Sequence, residues 1–230
     1  MRYLLAAILF FLSLASYGQQ INYTDWQEEA KKDDRLLPEY GKPRTPEQCA
    51  ADEAYIKTAL QEMNTDGHNG SEQMVELGFK YIAMGDLRVA MYRFNQAWLL
   101  DQKNSNVYAG FGSVYFMFKD FSNSIKHFNK GLELDPRNTN LLSYLARTYL
   151  SMYEASTDTI AYYKVLPLLS KAYHIDSTNM YTLYMLSRFY IRSNNCDSSL
   201  KYFYKCKKLG GQPITEQYER GLKTRCNIKE

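Results

Sequence analysis

One pattern recurs along most of this chain at a spacing of 34 residues, and no other feature limits the fold as much. Residues 71–104 hold Leu77-Gly78, Tyr81, Gly85-Asp86, Ala90, Phe94 and Ala97. Residues 105–138 hold Phe111-Gly112, Tyr115, Asp120, Ser124, Phe128, Gly131 and Leu134-Asp135-Pro136. Residues 139–179 hold Leu145-Ala146, Tyr149, Val165, Leu169, Ala172 and Ile175-Asp176. Residues 180–213 hold Leu186-Ser187, Tyr190, Ser199, Phe203 and Cys206. Tyr81, Tyr115, Tyr149 and Tyr190 step by 34, 34 and 41, whereas Phe94, Phe128, Leu169 and Phe203 step by 34, 41 and 34. A seven-residue piece is therefore added inside the third copy, between Tyr149 and Leu169. A repeat of this length is one supersecondary unit that cannot bury its apolar face alone, so the copies must stack.

Each copy reads as two helices joined by a short turn. Small residues (Gly78, Gly112, Ala146 and Ser187, then Ala90, Ser124 and Ser199) stand where helix axes must come within about 8–10 Å. Gly85-Asp86, Lys119-Asp120 and Asn194-Asn195 make turns, and Asp86 and Asp120 are placed to accept from the free N–H groups of the following helix. Asp135-Pro136 ends the second copy, because proline cannot continue a helix. The added piece, near Ser151–Tyr163, is expected to lengthen both helices of the third pair, with a loop at 156–159 and a kink at Pro167. Gly210-Gly211-Gln212-Pro213 breaks the chain. A final helix within 214–230, with Tyr218 and Leu222 turned inward, is expected to cap the stack.

The order of small residue, Tyr, small residue, Phe, small residue and then Asp-Pro resembles the tetratricopeptide repeat over about residues 71–213. Two departures stand out. The family's usual Trp is replaced by Met74, Tyr108, Leu142 and Leu183, and proline closes only the second copy. The resemblance implies an all-α fold, a right-handed α-solenoid of four helix-turn-helix repeats plus a C-terminal capping helix. It also implies a concave groove lined by the first helix of each pair, in which such proteins hold a peptide. Carried over by register, the groove residues are Val75, Phe79 and Ile82 in the first copy and Phe116 and Met117 in the second. The third contributes Arg147, and the fourth Tyr181, Tyr184, Arg188 and Arg192. These give an apolar half and an aromatic, cationic half. Arg147 and Arg188 hold equivalent places, where two guanidinium groups could grip carboxylates; alternatively they pair with neighbouring Glu or lie in solvent. Val75 and Phe79 stand where some family members place a Lys and an Asn to clamp a C-terminal carboxylate, so that activity is not carried over.

Ahead of the repeats, residues 1–18 read as a secretory signal: Arg2, an apolar run from Leu4 to Leu14, and small residues before a cut after Gly18. The run is too short to span a bilayer, which takes about 20 residues. The expected location is thus exported, periplasmic or secreted, with no membrane insertion after cleavage. Residues 19–70 form an acidic leader. Residues 19–71 carry 6 basic and 11 acidic side chains, against 21 basic and 14 acidic in 72–230. Within the leader, 19–45 reads as loosely ordered, with a short helix from Thr24 to about Lys32 and a proline-punctuated linker. A helix from about 46 to 63 starts at the capping box Thr45-Pro46-Glu47-Gln48. Residues 67–70 read as a flexible joint. The leader could occupy the groove until displaced.

There are four cysteines. Cys206 takes a small inner position. Cys196 opens one helix and Cys226 closes the antiparallel capping helix, so a Cys196–Cys226 disulfide is expected. No metal-ligand spacing, nucleophile elbow or phosphate-binding loop occurs. His68 falls in the joint, and His127 and His174 on outer faces or edges. Lys and Arg are scattered, without a nucleic-acid motif. The expectation is a non-enzymatic interaction module that takes no cofactor or metal and binds a protein or peptide partner, not nucleic acid. The alternative is a self-associating scaffold or assembly factor of an envelope complex.

Overall fold

A computed structural model describes residues 21–228. The signal segment 1–18 lies outside the described residues. All regular structure within them is helical: α1 (Tyr23–Ala30), two single 3-10 turns (Asp34–Leu36 and Pro38–Tyr40), and α2 (Pro46–Met63). The four pairs follow: α3 (Gly67–Met84) with α4 (Leu87–Leu100), α5 (Ser105–Met117) with α6 (Phe121–Leu134), α7 (Thr139–Ser156) with α8 (Thr159–Ile175), and α9 (Met180–Arg192) with α10 (Cys196–Lys208). The chain ends on α11 (Glu216–Arg225). Each pair packs on the next, and α3, α5, α7 and α9 also touch in succession, forming an inner layer. The all-helical solenoid expected from the repeat is what is observed.

Aromatic rings set into glycine gaps hold the pairs together. The Phe94 ring, fully buried, lies between Gly78 of its own pair and Gly110 of the next. A Cβ added at either position would fall 2.3–2.4 Å from ring carbons. Gly112 opens the same space for Phe128.

Each pair turns through one residue in the left-handed region, at Gly85, Lys119, Thr157 or Asn194. The residue after it caps the second helix: Asp86, Asp120, Asp158 and Asn195 accept from backbone N–H groups of the first turn. A second set of caps joins neighbouring repeats. Asn104, Asn138 and Asn179 begin α5, α7 and α9, and each accepts from its own helix. Each also donates backwards: Asn104 to Ser71 Oγ (2.9 Å), Asn138 to Ser105 Oγ (3.0 Å) and Asn106 Oδ1 (2.9 Å), and Asn179 to Thr139 Oγ1 (3.1 Å) and Asn140 Oδ1 (3.0 Å).

In the third pair, α7 has 18 residues and α8 has 17, against 13 and 14 in the second pair. The extension stacks Tyr162 on Phe189 of α9 (5.2 Å between centroids) and tilts it against Tyr153 (4.8 Å). Pro167 is accommodated inside α8, which runs on as a single helix.

The structure corrects the leader. Residues 21–45 are packed, not loose. Trp26 and Leu36 are each 1% exposed and join the core of the first two pairs. Asn22, not Thr24, caps α1. The leader lies on the second helices, not in the groove. Glu29 pairs with Arg88 (2.6 Å), Tyr92 donates to Asp33 (2.8 Å), and Lys130 pairs with Glu39 (2.6 Å). Asn95, fully buried, donates to the Arg35 and Leu37 carbonyls and accepts from the Glu39 amide. Tyr23 donates to Asp120 and stacks on Phe118. Three of the leader's carboxylates, Glu29, Asp33 and Glu39, thus take partners on α4 and α6.

Residues 67–70 are corrected too. They form the first turn of α3, capped by Asp66, and His68 Nδ1 sits 2.7 Å from Asp101. Gly67 and Gly70 are there for close approach, to the Leu100 carbonyl and to Met63 and Leu60, not for a hinge. In contrast, α2 buries none of its side chains and is tied at its start by Arg44, which pairs with Asp52 (2.8 Å). At the other end, Cys196 and Cys226 are disulfide-bonded, and Tyr218 of α11 reaches Ser187 (2.7 Å).

Two outcomes follow for stability. Ala outranks Gly as a helix former by ~1 kcal/mol, so Gly221→Ala, with open space around its Cβ position, should stabilise by about that amount. Gly110→Ala should instead destabilise by about 1–3 kcal/mol through overpacking against Phe94; urea midpoints of the two variants should move in opposite directions. Breaking the Cys196–Cys226 bond, which spans 30 residues, should cost about 3 kcal/mol in the chain-entropy picture. Hydrogen exchange should show the loss first in α11.

Candidate functional site

The groove runs along the inner layer. At its first end, α3, α5 and α7 enclose an open cavity of about 620 Å³ lined by Glu72, Gln73, Glu76, Asn106, Asn140 and Phe79, among others. This end was expected to be apolar; its lining is mixed, with Glu72, Glu76, Asn106 and Asn140 beside Val75, Phe79, Ala109 and Tyr144. The difference has a packing cause. Val75 is only 5% exposed and belongs to the core beneath. Ile82 is half-buried against the same core. Phe79 turns its edge to Phe94 (5.3 Å) and tilts toward Tyr144 (6.2 Å). Glu72, Glu76, Asn106 and Asn140 face the cavity around them.

Beyond Tyr144 the groove changes character. Tyr144 meets Tyr181 edge-on (5.0 Å), Tyr181 lies 6.3 Å from Tyr184, and Tyr184 meets Tyr218 of α11 edge-on (5.1 Å). The Arg147 guanidinium lies 3.9 Å over Phe116 and 5.2 Å from the Tyr144 ring. Arg188 lies 5.8 Å from Tyr184. Cations over aromatic faces are held by the ring quadrupole without being neutralised. Among the described residues neither Arg147 nor Arg188 has a carboxylate within salt-bridge distance, and Arg147 Nε is buried without a hydrogen-bond partner. Burial raises the pKa of Tyr144 and Tyr181, with Arg147 pulling the other way, so both phenols stay neutral near pH 7.

Six side chains, Phe116, Tyr144, Arg147, Tyr181, Tyr184 and Arg188, are thus linked in one run of contacts, with Tyr218 closing it. The other expected groove residues are elsewhere. Met117 is 40% exposed at the last turn of α5. Arg192, exposed, sits 5.8 Å from Tyr153 on the lengthened α7. Tyr144 and Tyr218 were not expected in the groove. Tyr144 is signalled by its place one helical turn before Arg147, the spacing that also pairs Tyr181 with Tyr184. Tyr218 has no such signal, because only the fold brings α11 beside α9.

The fold is that of the tetratricopeptide-repeat proteins. A thermophilic repeat protein of this kind from Thermus thermophilus superposes with a TM-score of 0.57 at 13% identity, over 67% of this chain and 80% of that one. A chain of the APC/C hetero-tetramer Cut9–Hcn1 superposes with a TM-score of 0.54, also at 13% identity. That match covers 87% of this chain but only 38% of the other. No protein-family model matches the sequence, and no curated protein matches it. A tetratricopeptide-repeat solenoid constrains residue size at a few positions per copy, so low identity is compatible with a shared fold. No described helix is long and apolar enough to cross a membrane.

One titratable group outside the groove is placed differently from expectation. His127 was assigned to an outer face or edge, yet it is only 8% exposed, its ring packed against Phe111 and Tyr115 of α5. Its ring stacks flat on Tyr115 (5.5 Å). Desolvation, helped by Lys126, pushes its pKa down to about 4. The unfolded chain takes up this proton below the ordinary value near 6.5, whereas the folded protein does not. Stability is therefore complete above pH 6.5 and falls as the pH drops toward 4, by up to about 3 kcal/mol. Comparing urea midpoints at pH 7 and pH 4.5, His127→Gln should lose less stability on acidification than the parent.

Proposed function

We propose that this protein is a non-enzymatic interaction module that holds an extended segment of a partner protein in the groove, with acidic residues of that segment against Arg147 and Arg188. The observation that carries this is the absence, among the described residues, of any carboxylate partner for two arginines set on aromatic faces in one run of contacts. Arginine and tyrosine are the residues most often found to dominate binding energy at interfaces. Tyrosine supplies rigid contact area, and a guanidinium matches a carboxylate in two hydrogen bonds.

The charge asymmetry of the groove gives the bound segment a direction. Glu72 and Glu76 at the α3 end favour a basic or amide-rich stretch there, and the arginine end favours Asp or Glu. Complementary potentials of this kind fix register and exclude wrong partners more than they add affinity. The leader lies on the other side of the solenoid and leaves the groove free. An oxidising compartment, periplasmic or secreted, fits the Cys196–Cys226 bond and the expected signal segment, since such bonds persist outside the reducing cytosol.

The test uses two fluorescein-labelled decapeptides of opposite polarity, Lys-rich then Glu-rich and the reverse, each with a central Tyr. One polarity should bind at least tenfold more tightly. Arg147→Ala with Arg188→Ala should remove that preference, and Arg147→Lys should restore it only in part. Equal binding of both peptides, or a preference that the double variant leaves intact, would overturn the proposal.

A further inference from the structure

A second cavity lies away from the groove, on the side of the second helices. It measures about 580 Å³ and opens to solvent between the leader segment 37–44 and the surface of α4, α5 and α6. This is within the roughly 300–1,000 Å³ typical of small-molecule sites. Leu37, Pro38 and Pro43 supply apolar wall from the leader side, and half-buried Trp98 supplies a ring from α4. The flat Tyr115–His127 pair forms the far wall.

The charge of this lining is strongly one-sided. Lys42, Arg44, Lys126 and Lys130 face it with Glu39 as the sole carboxylate among the lining residues. Glu39 is taken by Lys130 (2.6 Å) and Arg44 by Asp52 (2.8 Å). Lys42 and Lys126 form no ion pair among the described residues. His127, nine-tenths buried, contributes to the same lining, and its Nδ1 has no hydrogen-bond partner. Neither feature is needed to dock the leader, which already holds α4 and α6 through Glu29, Asp33, Glu39 and the Asn95 amide.

We propose that this cavity binds a small anion bearing a flat ring. Its carboxylate or phosphate is held at the mouth by Lys42 and Lys126, and its ring lies between Trp98 and the Tyr115–His127 wall. Like charges lining one cavity repel, and an anion among them relieves that repulsion while the ring is desolvated against aromatic and proline surface. Because the leader forms one wall, the ligand would also bind only the state in which the leader is docked. Such a ligand would raise the apparent stability of the leader contacts by mass action.

The experiment is an NMR titration of the whole protein with phenyl phosphate, following the Trp98 indole and His127 ring signals. Inorganic phosphate and benzyl alcohol serve as the charge-only and ring-only probes. Both signals should shift saturably with phenyl phosphate, and each control should bind at least tenfold more weakly. The exposed pair Lys42→Ala/Lys126→Ala, checked as folded by circular dichroism, should weaken phenyl phosphate at least tenfold. The proposal is overturned if neither signal saturates, if inorganic phosphate or benzyl alcohol binds equally well, or if the lysine variant binds like the parent. Since none of these residues lies in the groove, either result leaves the peptide reading untouched.

Discussion

Phe94 stands in the gap left by two glycines, one on each side of a boundary between repeats, and the rest of the solenoid depends on that packing. A ring inserted where no Cβ exists lets helices approach closely, within a pair and across the boundary to the next. Phe128 repeats the half of this arrangement that lies within a pair, against Gly112. Once the pairs are locked at this spacing, the first helices of successive pairs lie side by side. Only then can Tyr144, Tyr181 and Tyr184, from α7 and α9, form a continuous surface.

Polar groups follow the same geometry. Asn104, Asn138 and Asn179 each cap one first helix and donate to the pair before it, so the caps that begin the helices also set their separation. The buried hydroxyl pair Ser143–Thr182 (2.8 Å) adds a further tie between α7 and α9. Charge is then divided between two faces. The leader pairs with Arg88 and Lys130 on the second helices, whereas Arg147 and Arg188 on the first helices meet no carboxylate among the described residues. The molecule presents one cationic aromatic surface in the groove and one cavity with a basic lining beside the leader.

Much of the fold was legible because it is written repeatedly. The positions of small and large residues, the Asx caps at Asp86 and Asp120, and the added piece in the third copy all follow from period and residue type. The Asn ladder has the same period and was nonetheless overlooked, since Asn at a helix start is ordinary and its backward donation is visible only in three dimensions. The leader was misread for a related reason. Its prolines and charges look like those of a linker, and its apolar side chains, Trp26, Leu36 and Tyr40, are too widely spaced to show a periodic face. Their burial comes from a surface that the repeats supply, not from the leader itself. His127, expected at an outer face or edge, is instead turned against Phe111 and Tyr115 of α5.

The sequence by itself determined that helical pairs would stack, how many there would be, and which residues would sit at their crossings, because those demands recur at each copy and depend on size alone. Tertiary structure decided which surface each remaining residue would face. Val75 went to the core, Tyr144 and Tyr218 joined the groove, and the leader went to the second helices. These outcomes depend on neighbours from distant parts of the chain, and residue spacing within one helix carries no information about what a later element will bring alongside it.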